Sequence, residues 1–451
     1  MSARRAMLIG LDCAPPALVF ERLRDRLPVL RRLMREGAWG PLRSVVPPIT
    51  VPAWTCMLSG RDPGELGLYG FRNRVPGTSE LRVARDEPHP TPKVWDVASA
   101  AGKTSCVMYV PTASPPRALD GVHVGGFLHE GDGWVWPPEL ATELEARFGA
   151  HTPDVDSAAR EDPGALLDAL YESTARRFRV ARALYEERAP DLFAMVEMGP
   201  DRLHHGMFAH LDPAHPAHDP RWAAEAADYY AFLDAEVGAL IDRAPEDTVV
   251  IVASDHGARA KRGSVRLNEW LRREGWLALD ADGAIDPART RAWSTGGYYA
   301  RVFFNVAGRD QGGAVAADAL DAEVDRLVRE LGRIGVPLRA HRPRELYRDV
   351  RGAAPELLVV LDDLALSASG ELGEGPIVRE EPNDVGCVHD WDGIFLARGL
   401  GARGRIDDLV IHDVGATLLG ALGVRAPEGW LGRDLARSRG GSLRAGDAAV
   451  E

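Results

Sequence analysis

The chain has 451 residues, of which 45% are apolar, and a net charge of -13. That length carries a large α/β domain with an insertion, and the apolar share supports a substantial core. The acidic balance excludes nonspecific nucleic-acid binding, which needs a basic surface. No apolar run approaches membrane-spanning length. The stretch before Asp12 is too short for a secretory apolar region. Cys13, Cys56, Cys106 and Cys387 have no close pairing in sequence, which fits free buried thiols in a reducing compartment. A cytoplasmic protein with no membrane or nucleic-acid partner is expected. The sequence carries no signal of oligomeric state.

In chain order, Met7–Leu11 reads as a first core strand. Leu18–Glu36 follows as one helix, with apolar residues at helical spacing and Gly37 as its stop. Pro47, Pro48 and Pro52 then bracket Ile49–Val51 and forbid a helix start before Pro52. Ala53–Leu58 is helical and Gly60 ends it. Thr50 therefore lies just before a helix N-terminus, where free N–H groups face an anion. RDPGELGLYGFRNR reads as a turn-rich loop, KVWDVASAAGKTSCVMYV as helix then strand, and VHVGGFL as a short strand. Gly164–Glu187 forms a long helix leading into a strand that ends near Asp201. A proline-broken loop (HLDPAHPAHDP), the helix Trp222–Arg243 and the buried strand Val249–Ala253 come next.

This alternation predicts a doubly wound, mostly parallel sheet flanked by helices. After Asp255-His256 the texture changes: a short helix and strand over Asn268–Ala278, a strand at Tyr298–Val306, a helix at Ala314–Ile334 and a strand at Leu357–Asp362. The division is a core over 1–265, an inserted cap subdomain over 266–384, a second part of the core over 385–436 and a mobile tail over 437–451.

Three apolar runs end on aspartates: Met7–Leu11 before Asp12, Leu192–Met198 before Asp201, and Val249–Ala253 before Asp255. Strands of an open α/β sheet deliver polar groups to a site at their carboxyl ends. Asp12 also suits a turn before proline. Asp201 and His205 lie one helical turn apart on one face, whereas His204 turns away; an N-capping Asp with surface histidines is the bland alternative. Asp255 and His256 close a fully apolar strand and need partners there. His389 stands alone before another short strand. His210, His215 and His218 read as loop residues. Mixed carboxylate and imidazole donors suit zinc, or manganese, in a two-metal hydrolase. Thr50 is a candidate hydroxyl nucleophile, with Thr55 and Ser59 as alternatives.

The ordered set Asp12, Thr50, Asp201, His205, Asp255, His256 and His389 resembles the alkaline phosphatase superfamily. It is most similar to the type I phosphodiesterase/nucleotide pyrophosphatase branch and to a related bacterial group of predicted phosphohydrolases or phosphomutases. LIGLDCAPP, PPITVPAWTCMLSG, MVEMGPDRLHHG, VASDHG, LNEWLRREGWL and RAWSTGGYYARVFFNVAGR carry the resemblance over almost the whole chain. It implies one metal on Asp201, His205 and His389, a second on Asp12, Asp255 and His256, and Thr50 as the nucleophile that becomes phosphorylated. Two divalent ions, zinc first and manganese second, and a small phosphorylated substrate follow. A phosphodiester or nucleotide-type substrate is expected; a monoesterase, a phosphotransferase or phosphomutase, and a noncatalytic metal-binding protein are the alternatives. The sulfatase pattern Cys/Ser-x-Pro-x-Arg is not matched by ITVPAWT. One departure stands out: the pyrophosphatases carry asparagine three residues after the nucleophile, and this chain has Ala53. Arg72, Arg74 and Trp54 are candidates for substrate contacts in its place, and Trp293, Tyr298 and Tyr299 for contacts to the leaving group.

Overall fold

The computed structural model describes residues 5–436 except 85–90, 112, 130, 157, 158, 160 and 161. The expected mobile tail, 437–451, lies outside the described residues.

A ten-stranded sheet is the centre of the molecule. Its middle is parallel, in the order Val249–Ala253, Ala6–Leu11, Leu192–Glu197, Ser105–Met108 and Gly121–Val124. Helices cover both faces, so these strands are mostly apolar, with Ser105, His123 and Glu197 as exceptions, instead of alternating with polar residues. Met7, Ile9 and Leu11 pack on one side with the long helices Pro163–Arg188 and Pro220–Ile241. Ala6 and Leu8 pack on the other with Trp54 and Met57 of the helix Thr50–Ser59 and with Val414 and Leu418 of the helix His412–Ala421. The sheet is mixed at its margins, because Asp392–Arg398 enters antiparallel between Val249–Ala253 and Ala38–Arg43.

A second sheet of seven strands, among the described residues, runs from Gly263–Arg266 to Val378–Glu380. It has its own core, including Trp270, Trp276, Phe303, Phe304 and Leu327.

Several local expectations differ from the structure. The segment Leu18–Glu36 is not one helix: a wide π-helical turn over Ala17–Arg22 and a short 3-10 turn precede the helix Pro28–Glu36. Pro28 is the cause, since its ring clashes with the preceding turn and it lacks an N–H, yet it suits a first helical position. The loop expected at RDPGELGLYGFRNR contains the helix Pro63–Leu66 and the strand Arg72–Arg74, paired with Leu81–Val83. Ala38–Arg43, unassigned from sequence, is a sheet strand.

Candidate metal centre and active site

The parallel register explains why the aspartates meet. Gly10 pairs with Ala253 and Leu11 with Glu197, so Asp12 and Asp255 emerge side by side at the carboxyl end of the sheet. Asp201 follows on the first turn of the helix Gly199–Met207, with His205 four residues on. His389 comes by a different route. It lies on the strand Cys387–Asp390, which pairs antiparallel with Gly257–Ala260 directly after His256. Asp12, Asp201, Asp255, His256 and His389 are all buried.

Each carboxylate is held by one oxygen and turns the other inward, where Asp201 Oδ1 lies 3.2 Å from His205 Nε2 and Asp255 Oδ2 3.3 Å from His256 Nε2. Asp12 Oδ2 accepts from Trp54 Nε1 at 2.7 Å, Asp201 Oδ2 from Arg202, and Asp255 Oδ1 from the Cys13 N–H at 3.4 Å. Asp12 Oδ1, Asp201 Oδ1 and Asp255 Oδ2 are buried without a hydrogen-bond donor, and His389 Nε2 is unpartnered as well. The imidazoles follow the same rule. His256 Nδ1 faces the Gly257 carbonyl at 3.1 Å and His389 Nδ1 the Pro48 carbonyl at 2.8 Å. His205 Nδ1 lies 3.4 Å from Cys387 Sγ. An outward Nδ1–H donor sets the tautomer that turns a lone pair on Nε2 inward, as in metal-ligating histidines.

The inward atoms form two trios, Asp201–His205–His389 and Asp12–Asp255–His256, with donor atoms within 4.8 Å of one another in each. Four buried donor atoms without hydrogen-bond partners, in a set of carboxylates and imidazoles, fit divalent cations. The electrostatics agree. Burial, followed by Asp201, pushes Asp12 well above the usual carboxylate range, and burial, followed by Asp12, does the same to Asp255. Burial holds His256 down to about 4. At Asp201 the opposing burial is outweighed by His205 and Arg202, which hold its carboxyl low.

Thr50 opens its helix, two residues before the expected limit at Pro52, because proline is tolerated in a first helical turn, and its Oγ1 lies 3.3 Å from His256 Nε2. Thr55 instead donates to the Val51 carbonyl inside the helix at 2.7 Å. His204 turns away, with Nε2 3.0 Å from the Tyr230 hydroxyl. His210 and His218 bond to backbone carbonyls of their own proline-rich loop.

The other candidates are divided: Trp54 and Arg74 face away from the cavity, whereas Tyr298 and Tyr299 line it. Trp54 is fully buried and orients Asp12 from behind. Arg74 is buried in a pair with Asp310 at 2.7 Å, its guanidinium over Phe303. Arg72 is exposed and lines a neighbouring cavity. Tyr298 reaches the centre: its hydroxyl is 3.2 Å from His205 Nε2 and its ring stacks on His389 at 3.9 Å. Tyr299 lines the site cavity and donates to the Tyr69 carbonyl. Trp293 stacks on Phe303, with ring centroids 4.9 Å apart. Sequence reasoning missed Arg202, whose signal was only its place beside Asp201, and Arg301, which lines the cavity from the strand Ala300–Phe304.

The family model for type I phosphodiesterase/nucleotide pyrophosphatase matches residues 6–392. The chain belongs to that family. As a member of the type I phosphodiesterase/nucleotide pyrophosphatase family it is a metal-dependent phosphoric ester hydrolase. No curated protein sequence matches it. Among solved structures, murine ectonucleotide pyrophosphatase/phosphodiesterase 5 is similar at 14% identity and a TM-score of 0.58, over 94% of this chain and 96% of that one. Phosphonoacetate hydrolase from Sinorhizobium meliloti 1021, in complex with phosphonoformate, is similar at 15% identity and a TM-score of 0.58, over 93% and 95%. At these identities the likeness carries the fold alone.

Proposed function

We propose that the protein cleaves a phosphate ester by attack of Thr50 at a centre of two divalent cations, zinc before manganese. The observation that supports this most is the set of buried, unpartnered donors Asp12 Oδ1, Asp201 Oδ1, Asp255 Oδ2 and His389 Nε2 beside a threonine hydroxyl. Asp201, His205 and His389 would hold one ion, and Asp12, Asp255 and His256 the other. Bound there, the ions supply positive charge to the phosphoryl oxygens and to the oxygen that attacks.

The chain's own residues do the rest. Trp54, Arg202 and the Cys13 N–H fix the carboxylates, so the donors are in place before substrate arrives. The helix Thr50–Ser59 holds the nucleophile at its N-terminus. Its ladder begins with the Ala53 N–H, 2.9 Å from the Ile49 carbonyl. The Thr50 and Val51 N–H groups precede that ladder and Pro52 has none, so these two face a phosphoryl oxygen where relatives use an asparagine side chain. Val51 and Ala53 are buried and apolar, surroundings that disfavour a monoester dianion more than a diester monoanion. The substrate is therefore read as a diester or nucleotide-type ester.

Metal analysis, combined with turnover of matched aryl phosphate diesters and monoesters, tests the reading. Two zinc-sized equivalents per chain, loss of activity on chelation, and a fall of roughly a thousandfold or more in Thr50→Ala are expected. Near-normal turnover in Thr50→Ala, or full activity without metal, overturns it.

A further inference from the structure

Three cations line the cavity beside the ligand cluster, and two are neutralised within the protein. Arg202 pairs with Asp201 and Asp154, and Lys261 with Glu381 and Asp384. Arg301 is 7% exposed and, among the described residues, has no carboxylate partner. Its Nε donates to Thr295 Oγ1 at 3.1 Å and its Nη1 to the Arg72 carbonyl. Both acceptors are neutral. A buried guanidinium with no counter-charge is costly, and three of its five N–H donors are left by those two bonds.

Its position says what the missing charge belongs to. The cavity at the centre has a volume of about 590 Å³. A second cavity of about 620 Å³ adjoins it, and the two share Phe71, Gly296 and Arg301. Trp293, Leu81 and Ile285 give this second space apolar walls, and the exposed Arg72 side chain lies along it. A molecule reaching from the metal ligands into the second cavity passes Arg301.

We propose that the second cavity holds the part of the substrate that is not transferred, and that Arg301 at its mouth binds an anionic oxyacid group, a carboxylate or a phosphate, carried by that part. This rests on the phosphohydrolase reading above and narrows it. The substrate class becomes a phosphate ester whose alcohol side has an apolar body and its own acid. A planar guanidinium with free donors matches both oxyacids. The nearest competing role for Arg301 is structural, tying the Arg72 backbone to the strand Ala300–Phe304.

The test uses metal-loaded protein and three inert phosphonate analogues that differ only in one group on the alcohol side: carboxylate, phosphate or carboxamide. Their dissociation constants are measured by calorimetry. At least tenfold tighter binding of one or both acids than of the carboxamide is expected, and the better acid names the oxyacid. That ratio collapses towards one in Arg301→Met and recovers in part in Arg301→Lys. Equal binding of all three by the unmodified protein overturns the proposal. So does an equal loss for all three in Arg301→Met, which a merely structural arginine would give. The corresponding hydrolysable esters separate the two readings: an intact acid preference in binding with no turnover counts against the phosphohydrolase, whereas turnover without acid preference counts against the subsite alone.

Discussion

One indole sets the direction in which Asp12 points. Trp54 gives its N–H to Asp12 Oδ2, and it comes close only because Gly10 has no side chain: a Cβ there would lie 2.4 Å from the indole. Trp54→Phe keeps an aromatic ring and removes the donor. A buried carboxylate oxygen then goes unpartnered, and a loss of about 1–3 kcal/mol in stability is expected, with metal affinity weaker by roughly 10- to 100-fold. Urea unfolding and competition with a zinc chelator measure the two, and wild-type affinity in this variant would remove Trp54 from any role at the centre. From sequence, Trp54 reads as a substrate contact because it stands next to Ala53, where something must replace the asparagine of the pyrophosphatases. Nothing in a linear pattern tells an indole facing the substrate from one facing the back of a ligand. Arg74 illustrates the same limit, since its partner Asp310 is distant in sequence. The seven donor-type residues were legible because chemistry restricts their identity and the strand ends restrict their place.

At the scale of elements, the central strands were legible because both their faces are covered, which leaves mostly apolar runs. The short strands Leu338–His341, Leu366–Ser369 and Val378–Glu380 were not. Each has only three or four residues, too short a run for a period to mark it. The break before Pro28 leaves no mark in the pattern because helical spacing on either side continues through it. Connections also carry measurable consequences. His151, in the loop after the helix Leu140–Phe148, lies parallel to Trp134, with ring centroids 4.3 Å apart. Burial, then Arg177, lowers it to about 3. Its folded value is thus below its unfolded one. The unfolded chain takes up a proton as pH falls below about 6.5 while the folded chain does not, so stability drops through the window down to about 3. Allowing for partial exposure, about 1 kcal/mol of the loss between pH 7 and pH 5 belongs to this residue. His151→Phe, which keeps the stack, should show a shallower acid loss by urea unfolding at the two pH values. An unchanged pH slope would assign that loss elsewhere.

At the scale of the molecule, the centre joins residues from Asp12 to His389, so no part of it forms without most of the fold. Three buried aspartates close together are a standing repulsion that cations relieve. Any ion that binds only the folded chain adds about 4 kcal/mol of stability when present at a thousandfold excess over its dissociation constant. Stripping the protein with a chelator and restoring zinc or manganese should therefore shift its urea midpoint down and back. A midpoint indifferent to both treatments would contradict a centre built from these donors. The paired strands Gly257–Ala260 and Cys387–Asp390 have a further consequence for history and for engineering. They clasp the two ends of everything between them, so that long excursion begins and ends at one point on the core. Its length and contents can be exchanged while the clasp still delivers His389 to its place. Most of the second cavity's lining, from Asn268 to Asn305, lies in that excursion, so the space beside the centre can change there while the donors outside it keep their places.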